Sequence, residues 1–455
     1  MPASQPGPFG GSGSLPGDGA PPPASALQPP VGSASTAPTA AAHPPVPVTL
    51  GLAGVELRWW DLHLRVSHRA GAGAGRSRPV VAVRVVGADG SEGFGECAAL
   101  AAPTYSEEYA AGAWDVLRHH LAPRLLASDG ATGTGTGAGA STGPEPEPLT
   151  PEPPTPGRPA GARPAPWLAA ARAVQRRLAP VRGHAMAKAA LELAVVDAVL
   201  RRQGLSLTEA LGVTATTVEA GAVVGFHDHE ASLLKEVEEL AAAGYRRVKV
   251  KIGPGWDHRP LAALRRAFPT LGLQADANGA YRRADTALLQ SLDDLQLLCL
   301  EQPLAPDDLL GHAELAAAVR TPICLDESLT SVAAVAGALQ LGACTVVCVK
   351  PARLGGLAPT LDALAWCRAA GASAWCGGMF ETGLPRAALA TVAALPEMTL
   401  PSDLGGGDRF AEGDPCGALP VVGGRARLWH QPGVGPAPSP AAEAVSGPVT
   451  WVAGG

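Results

Sequence analysis

Short apolar runs, separated by longer amphipathic segments, repeat along the middle of the chain. Five successive runs each end in a charged residue, and the first four of these residues are spaced 25 positions apart. They are Lys251, Asp276, Glu301 and Asp326, and Lys350 follows 24 positions after the last of them. A strand with its crossover helix and two loops needs roughly 25 to 30 residues. The spacing therefore predicts five consecutive βα units.

The segments between these runs have the period of helices. Helices are predicted over 229–243, 260–268, 307–319 and 331–341. Regular alternation of strands and helices from about residue 213 to 400 favours a (β/α) barrel over a doubly wound sheet. In such a barrel the functional groups lie where the strands end, at the C-terminal face. All five charged residues are therefore predicted at one mouth.

The pattern before residue 213 is different. It predicts two strands, over 48–60 and 80–86, and two helices, over 107–126 and 185–202. This combination is typical of a small α+β domain, which we assign to residues 48–212. Residues 401–455 are rich in Gly and Pro, and we expect them to return to this domain, with a short strand over 449–452.

Two segments have the composition of disordered chain. Residues 1–47 and 128–166 consist largely of Pro, Gly, Ala, Ser, Thr and Glu, and they have too few bulky apolar residues to offset the entropy of ordering. We predict a disordered tail and an insertion within the α+β domain. The glycines of the second segment could suggest a phosphate-binding loop, but neither a leading strand nor a Gly-Lys-Ser/Thr sequence accompanies them.

Composition narrows the class of protein. The apolar fraction is 46%, and the net charge is -6 without a dense basic stretch, which argues against a nucleic-acid partner. The sequence has neither an apolar run long enough for a membrane span nor the features of a signal peptide, so we expect a cytoplasmic protein without membrane insertion. The eight cysteines form no CxxC pair and are interpreted as reduced core residues.

The three strand-end acids suggest a metal centre. Carboxylates without histidine or thiolate ligands suit a hard cation, Mg²⁺ or Mn²⁺, and three of them leave about half of an octahedral shell for water and substrate. Such a cation acts as a Lewis acid that stabilises an oxyanion. A salt bridge at a strand end is the alternative for any single acid, but it does not explain three acids at equal spacing.

The lysines suggest proton transfer next to that centre. Lys249 and Lys251 are two positions apart on one strand and point to the same face. Burial and mutual repulsion are expected to lower their pKa, while Asp276 and the other acids act in the opposite direction. Lys350 is several strands away and should face Lys251 across the cavity. Two lysines beside a carboxylate-bound metal are suited to removing a proton adjacent to a substrate carboxylate.

These motifs resemble those of a known family. The matching segments are Gly183-His-Ala-Met-Ala-Lys188, Val-Lys249-Val-Lys251-Ile, Asp276-Ala-Asn278, Glu301-Gln-Pro, Asp326-Glu327-Ser, Val-Lys350-Pro-Ala-Arg353-Leu-Gly-Gly and Trp-Cys-Gly377-Gly378-Met379-Phe-Glu381-Thr-Gly. Over residues 50 to 425 or so, the chain resembles the o-succinylbenzoate synthase / N-succinylamino acid racemase family, in the muconate-lactonising subgroup of the enolase superfamily. The resemblance implies an α/β fold, a (β/α)7β-type TIM barrel with an α+β capping domain.

The resemblance also implies a role for each matched residue. Asp276, Glu301 and Asp326 match the metal ligands, and Lys251 and Lys350 match the two acid/base lysines. Residues expected around the substrate, or supporting these groups, are Lys249, Asn278, Glu327, Arg353, Gly377, Gly378, Met379 and Glu381. Backbone N–H groups of 377–379 would meet the substrate, with packing of the loop as the alternative. The loop 66–78, which in the family folds over the site, is unusually rich in Gly and Ala here.

The implied function is that of a lyase of menaquinone biosynthesis. An o-succinylbenzoate synthase dehydrates 2-succinyl-6-hydroxy-2,4-cyclohexadiene-1-carboxylate, and the alternative is racemisation of N-succinylamino acids, with both reactions compatible with one site. We expect a small-molecule carboxylate substrate and a homo-oligomer. A non-catalytic scaffold that acts through its Pro-rich segments is a more distant alternative, and the complete set of acids and lysines argues against it.

Overall fold

The structure, a computed structural model, describes residues 50–64, 77–127, 165–405, 411–444 and 447–454. The predicted tail, nearly all of the predicted insertion and most of the loop 66–78 lie outside the described residues. In the part of the chain that is described, no helix is long and apolar enough to cross a membrane.

An antiparallel sheet packed against helices forms the N-terminal part. Its elements are β1 (Leu52–Leu64), β2 (Ser77–Gly87), β3 (Glu92–Cys97), α1 (Ala110–Val116), α2 (Ala122–Leu126), α3 (Pro166–Leu178) and α4 (Ala185–Gln203), and a π-helical turn, Leu117–Leu121, joins α1 to α2. Glycines allow α4 to lie directly on β3, since a Cβ atom on Gly95 would lie 2.1 Å from the Ala190 carbonyl oxygen. The helices predicted over 107–126 and 185–202 are confirmed.

Seven parallel strands follow one another in chain order around the second part. After α5 (Leu207–Ala210) and β4 (Thr217–Glu219) they are β5 (Ala222–Val224), β6 (Arg247–Lys251), β7 (Gly272–Asp276), β8 (Leu300–Glu301), β9 (Ile323–Leu325), β10 (Val346–Val349) and β11 (Ser373–Cys376). Residues 398–403 fill the remaining place between β11 and β5. Asp403 N donates to Cys376 O at 2.8 Å, and Gly221 N donates to Ser402 O at 2.7 Å. The predicted (β/α)7β-type barrel with a capping domain is confirmed.

Helices lie between the barrel strands. They are α6 (Glu230–Ala242), α7 (His258–Ala267), α8 (Thr286–Gln290), α9 (Leu309–Ala318), α10 (Val332–Gln340), α11 (Pro351–Leu354), α12 (Leu357–Ala370) and α13 (Gly383–Val392), with 3-10 turns at Arg283–Asp285 and Ser291–Leu295. Local sequence sets their starts: Asp308 accepts a hydrogen bond from Gly311 N at 2.9 Å, and Ser331 accepts one from Ala334 N at 3.1 Å. The four predicted barrel helices are therefore present within a few residues of their predicted ends.

The C-terminal part of the chain returns to the capping domain. Its elements are β12 (Ala411–Glu412), β13 (Val421–Val422), β14 (Arg425–Arg427), α14 (Pro440–Ala444) and β15 (Val449–Ala453). β12 and β15 both pair antiparallel with β1, while β13 and β14 form a small sheet with β4. The sheet of the capping domain therefore contains strands from both ends of the described chain.

Candidate active site and metal centre

The charged strand ends lie at one level of the barrel. Lys251 on β6 pairs with Asp276 on β7, and Asp276 pairs with Glu301 on β8. Asp326 and Lys350 directly follow β9 and β10. All five side chains are buried, with no more than 8% of any residue exposed. The structure thus brings together the residues that the spacing placed at one mouth.

The three acids are buried and influence one another's charge, and two of them, Glu301 and Asp326, have oxygen atoms close enough together to share a divalent cation. Burial and the charge of Asp276, with a further contribution from Asp326, raise the pKa of Glu301 to about 8. Burial is the largest of these causes, and the charge of Lys249 offsets it only in part. Oxygen atoms of Glu301 and Asp326 lie within 4.8 Å of each other and of the Cys348 thiol. Oxygen donors of this kind suit a hard cation with open coordination positions.

Each catalytic lysine of the prediction is bonded to one of these acids. Lys251 Nζ donates to Asp276 Oδ2 at 2.6 Å and to Asn278 Oδ1 at 2.5 Å. Lys350 Nζ donates to Asp326 Oδ2 at 2.9 Å. β6 and β10 are four places apart in a ring of eight, so the two lysines stand on opposite walls of the mouth.

For Lys249, the acids outweigh the burial and repulsion that were expected to lower the pKa of the ammonium group. Burial would lower the pKa of this ammonium, but Asp403, Glu301 and Asp276 outweigh burial and hold the pKa well above its usual value. The same competition holds the pKa of Lys350 high, chiefly through Asp326. The sequence left the balance between these opposing effects open, and for Lys249 and Lys350 the contacts with the acids decide it.

Several of the supporting residues contact the lysines and acids. Arg353 Nη1 is bonded to Asp326 Oδ1, and its Nε donates to Leu329 O at 3.0 Å. Asn278 Nδ2 donates to Glu327 Oε1 at 2.8 Å. Asp326 therefore accepts from both Lys350 and Arg353, and these two cations hold its pKa well below its usual range against the opposing effect of burial.

The loop after β11 is held by its own hydrogen bonds. Gly377 N donates to Val349 O at 3.0 Å, and Met379 N donates to Glu381 Oε1 at 2.8 Å. Loop packing, the alternative interpretation, thus accounts for these two N–H groups in the structure. Gly377 also has a steric role, because a Cβ atom there would lie 2.6 Å from Lys350 Cε. Gly378 lies between them, and a Cβ atom on it would meet Asp403 O at 3.1 Å.

Tyr105 is a site residue that the sequence did not reveal. It reaches the mouth from the capping domain, where its hydroxyl oxygen lies 2.6 Å from Lys350 Nζ and 2.7 Å from Arg353 Nη1. The hydroxyl donates to Asp326 Oδ2 at 3.2 Å, and burial raises its pKa. Its segment is anchored by Glu108, which accepts from Met186 N at 2.9 Å at the start of α4. Because Tyr105 is a single residue in an irregular loop, no periodic pattern in the sequence indicates that it belongs to the site.

Asp403 is a second residue that the sequence did not reveal. It lies in the segment that closes the ring, where Oδ2 accepts from Lys249 Nζ at 2.8 Å and Oδ1 accepts from the Arg247 guanidinium. Both cations also lie over the ring of Trp375, at 4.5 Å and 4.6 Å from its centroid. Burial opposes ionisation of Asp403, but Lys249 and Arg247 lower its pKa to about 2. Asp403, Lys249 and Arg247 therefore form a buried network of charged side chains next to the proposed site.

The capping domain also contacts the loop after β11, through Glu96. Glu96 Oε2 on β3 accepts from Thr382 N at 3.0 Å, and its Oε1 pairs with Arg78 Nη2 at 2.9 Å. Both Glu96 and Arg78 are buried. Arg78 lies at the end of the loop that was expected to fold over the site, so this ion pair links that loop's base to the barrel.

Comparison with known proteins agrees with this architecture. Residues 232–442 match the family model described as enolase C-terminal domain-like. The chain is 41% identical to an N-succinylamino acid racemase of Amycolatopsis sp, over 86% of this chain and 95% of that protein. It is 36% identical to an o-succinylbenzoate synthase of Geobacillus stearothermophilus, over 84% and 92% of the two chains. A solved enolase-superfamily structure from Listeria innocua superposes with a TM-score of 0.77 at 29% identity, covering 88% of this chain and 99% of that one.

Proposed function

The chain belongs to the o-succinylbenzoate synthase / N-succinylamino acid racemase family of the enolase superfamily, and we propose that it is an o-succinylbenzoate synthase. It would dehydrate 2-succinyl-6-hydroxy-2,4-cyclohexadiene-1-carboxylate to o-succinylbenzoate, a reaction of menaquinone biosynthesis. The observation that carries the proposal is the arrangement of two buried lysines on opposite walls of a mouth lined by three buried acids. This arrangement suits removal of a proton next to a carboxylate.

Asp276, Glu301 and Asp326 would hold the divalent cation, for which we propose Mg²⁺, with Mn²⁺ as the alternative. When bound, the cation supplies Lewis-acid stabilisation of the negative charge that develops on the substrate carboxylate. The burial of all three acids, and the approach of oxygen atoms of Glu301 and Asp326 to within 4.8 Å of each other, support this assignment.

Lys251 would remove the proton from the carbon next to the carboxylate. It would later return a proton to the departing hydroxyl group, so that water leaves and the ring becomes aromatic. Asp276 and Asn278 hold its Nζ atom in place, at 2.6 Å and 2.5 Å. From the opposite wall, the Lys350 ammonium would stabilise the negative charge that forms between the two proton transfers.

Racemisation of N-succinylamino acids is the second candidate function. It is favoured by the two opposed lysines, since each could exchange a proton at the α carbon on its own face. The Amycolatopsis relative, at 41% identity, is named for that activity. Both reactions begin with loss of a proton next to a carboxylate, so the same residues could serve both.

A metal-removal experiment tests the proposed centre. Protein treated with EDTA should lose activity and regain it with Mg²⁺. Asp276→Asn, Glu301→Gln and Asp326→Asn should each lower turnover by roughly 10²-fold or more while the circular dichroism spectrum stays the same. Full activity after EDTA treatment, without added divalent ion, would contradict the metal assignment.

Hydrogen exchange separates the two lysines. In D₂O with a succinylated amino acid, Lys251→Arg and Lys350→Arg should each lose α-proton exchange mainly from one enantiomer, because a guanidinium is a poor base. Lys235→Arg, at an exposed position of α6, is the matched control and should exchange normally. Equal exchange of both enantiomers in both variants would refute the assignment of one lysine to each face of the substrate. No exchange in the unsubstituted protein would indicate a dedicated synthase.

A further inference from the structure

A buried glutamate of the capping domain caps a helix of the barrel. Glu192 lies on α4, and none of the residue is exposed. Its carboxylate reaches the start of α12, where Oε2 accepts from Leu357 N and Oε1 accepts from Ala358 N at 2.9 Å. N–H groups in the first turn of a helix have no partner within the helix. The N-cap residue of α12 is Gly356, which has no side chain to satisfy them, so Glu192 supplies the cap from the other domain.

The backbone before α12 is shaped to admit this carboxylate. Gly356 has a φ angle of +138°, which residues with a side chain rarely adopt. A Cβ atom on Gly356 would also lie 1.5 Å from Glu192 Oε2. Glycine is therefore required at this position both for the backbone angle and for the space that the carboxylate occupies.

Only the short helix α11 separates this contact from Lys350 and Arg353. Lys350 is the N-cap residue of α11, and Arg353 lies within the helix. The end of α11 is tied back to its start, because Gly356 N donates to Pro351 O at 2.9 Å. A shift of Gly356 would therefore move the backbone that carries both cations.

Helix α3 of the capping domain holds the same region of the barrel. Gln175 Nε2 donates to Gly355 O at 2.7 Å, and Arg172 forms an ion pair with Asp362 on α12. We call Gly355 and Gly356 the α11–α12 corner. The capping domain thus fixes this corner from two of its helices, and Glu192 makes the contact that is completely buried.

We propose that Glu192 is a positioning residue for the reaction, which acts through the α11–α12 corner on Lys350 and Arg353. This role rests on the proposed function, in which Lys350 acts from one wall of the mouth. On the opposite wall, Lys251 lies on β6 and is held by its own bond to Asp276. Loss of the Glu192 contact should therefore disturb the wall of Lys350 and leave the wall of Lys251 in place.

Hydrogen exchange in D₂O with a succinylated amino acid tests the proposal. The measurement is made at pH 8, above the pKa of about 7 to which burial raises Glu192. Glu192→Gln replaces one acceptor oxygen by an NH₂ group, so one N–H group of α12 loses its partner. The enantiomer whose exchange is lost in Lys350→Arg should exchange about tenfold more slowly, because an unsatisfied buried donor is costly. The other enantiomer should change by less than about twofold.

Dehydration gives a second readout. Because the Lys350 ammonium is proposed to act on the charge that forms during the reaction, Glu192→Gln should lower kcat about tenfold and change KM by less than about twofold. Gly356→Ala should give the same pattern in both assays, since its Cβ atom would displace the carboxylate. It tests the proposal independently if Glu192→Gln does not fold.

Asp197→Asn is the matched control. Asp197 lies on the same helix as Glu192, is equally buried, and accepts from Val434 N at 2.7 Å and from Phe94 N at 2.9 Å. Neither partner belongs to the α11–α12 corner. This substitution should lower the free energy of unfolding and affect the exchange of the two enantiomers equally.

The outcomes separate the positioning role from the proposed function. Equal loss of exchange from both enantiomers in Glu192→Gln would overturn the positioning role, and so would the same asymmetry in Asp197→Asn. If the unsubstituted protein dehydrates but exchanges neither enantiomer, an unchanged kcat in Glu192→Gln would overturn it. Absence of both reactions in the unsubstituted protein would refute the proposed function, and the positioning role with it.

Discussion

Replacement of Asp403 by Asn would remove the negative partner of two buried cations. Asp403 accepts from Lys249 Nζ at 2.8 Å and from the Arg247 guanidinium. Arg247 is fully buried, and its Nε and Nη2 atoms have no hydrogen-bond partner. Apart from Asp403, the guanidinium lies over the face of Trp375, at 4.5 Å, and the charge of Glu301 acts on it more weakly than that of Asp403. The substitution would therefore leave Arg247 as a buried charge with little compensation.

The contacts set the size of the expected effect. Loss of one partner from a buried ion pair costs about 3–5 kcal/mol, because the other charge stays buried and unpaired. Lys249 would keep Glu301 Oε2 at 3.2 Å and Asp276 Oδ2 at 3.3 Å, so Arg247 bears most of the cost. We expect the free energy of unfolding to fall by about 3 kcal/mol or more. Lys249 would also move toward Glu301, and affinity for Mg²⁺ should fall about tenfold, or about 1.4 kcal/mol.

Denaturant unfolding of EDTA-treated protein and calorimetric titration with Mg²⁺ measure these two effects. The double variant Asp403→Asn/Arg247→Met isolates the cause. If an uncompensated guanidinium destabilises the single variant, removal of that guanidinium should restore at least half of the loss. A loss below about 1 kcal/mol in the single variant, the size of an exposed ion pair, would contradict the reasoning. So would a double variant that is no more stable than the single one.

Two further predictions concern Tyr105 and Glu192. Tyr105→Phe removes the hydroxyl that contacts Lys350. Because a hydrogen bond to a charged group contributes about 1.5–3 kcal/mol, turnover should fall about tenfold or more. Tyr109→Phe, in the same loop, is the control and should leave turnover unchanged. Burial raises the pKa of Glu192 to about 7, so its stabilising contribution is complete below its unfolded pKa of 4.5 and is lost as pH rises through 7. Between pH 5 and 8, unfolding experiments should show Glu192→Gln gaining about 2.5 kcal/mol relative to the unsubstituted protein, and parallel pH profiles would refute this.

The barrel and its charged rim were predictable because both follow from local repetition. Each βα unit has nearly the same length, so residues at equal spacing occupy equivalent strand ends. The pairing of Lys251 with Asp276 and of Asp276 with Glu301 is the direct consequence of that repetition. Helix starts were predictable for a similar reason, because an N-cap residue such as Ser331 accepts a hydrogen bond from a backbone N–H only three residues later.

Tyr105 and Asp403 could not be predicted in this way because their contacts are long-range. Tyr105 is 245 positions from Lys350, and Asp403 is 156 positions from Arg247. Neither residue lies in a regular element, and the segment that carries Asp403 joins the ring only through isolated hydrogen bonds. The direction of the Lys249 pKa shift could not be read from the sequence for the same reason, since Asp403 is the largest of the charges that raise it.

The contacts at the mouth link the lysines to the acids on the same wall. Asp276 accepts from Lys251, and Asp326 accepts from Lys350 and Arg353, so the carboxylates proposed to bind the cation also contact the two lysines. A cation bound by these carboxylates would compete with the lysines for the same oxygen atoms. Asp326, the acid on the same wall as Lys350, is the main charge that raises the pKa of that lysine. Substitution of Asp326 should therefore lower the pKa of Lys350, and the pH profile of turnover should change accordingly.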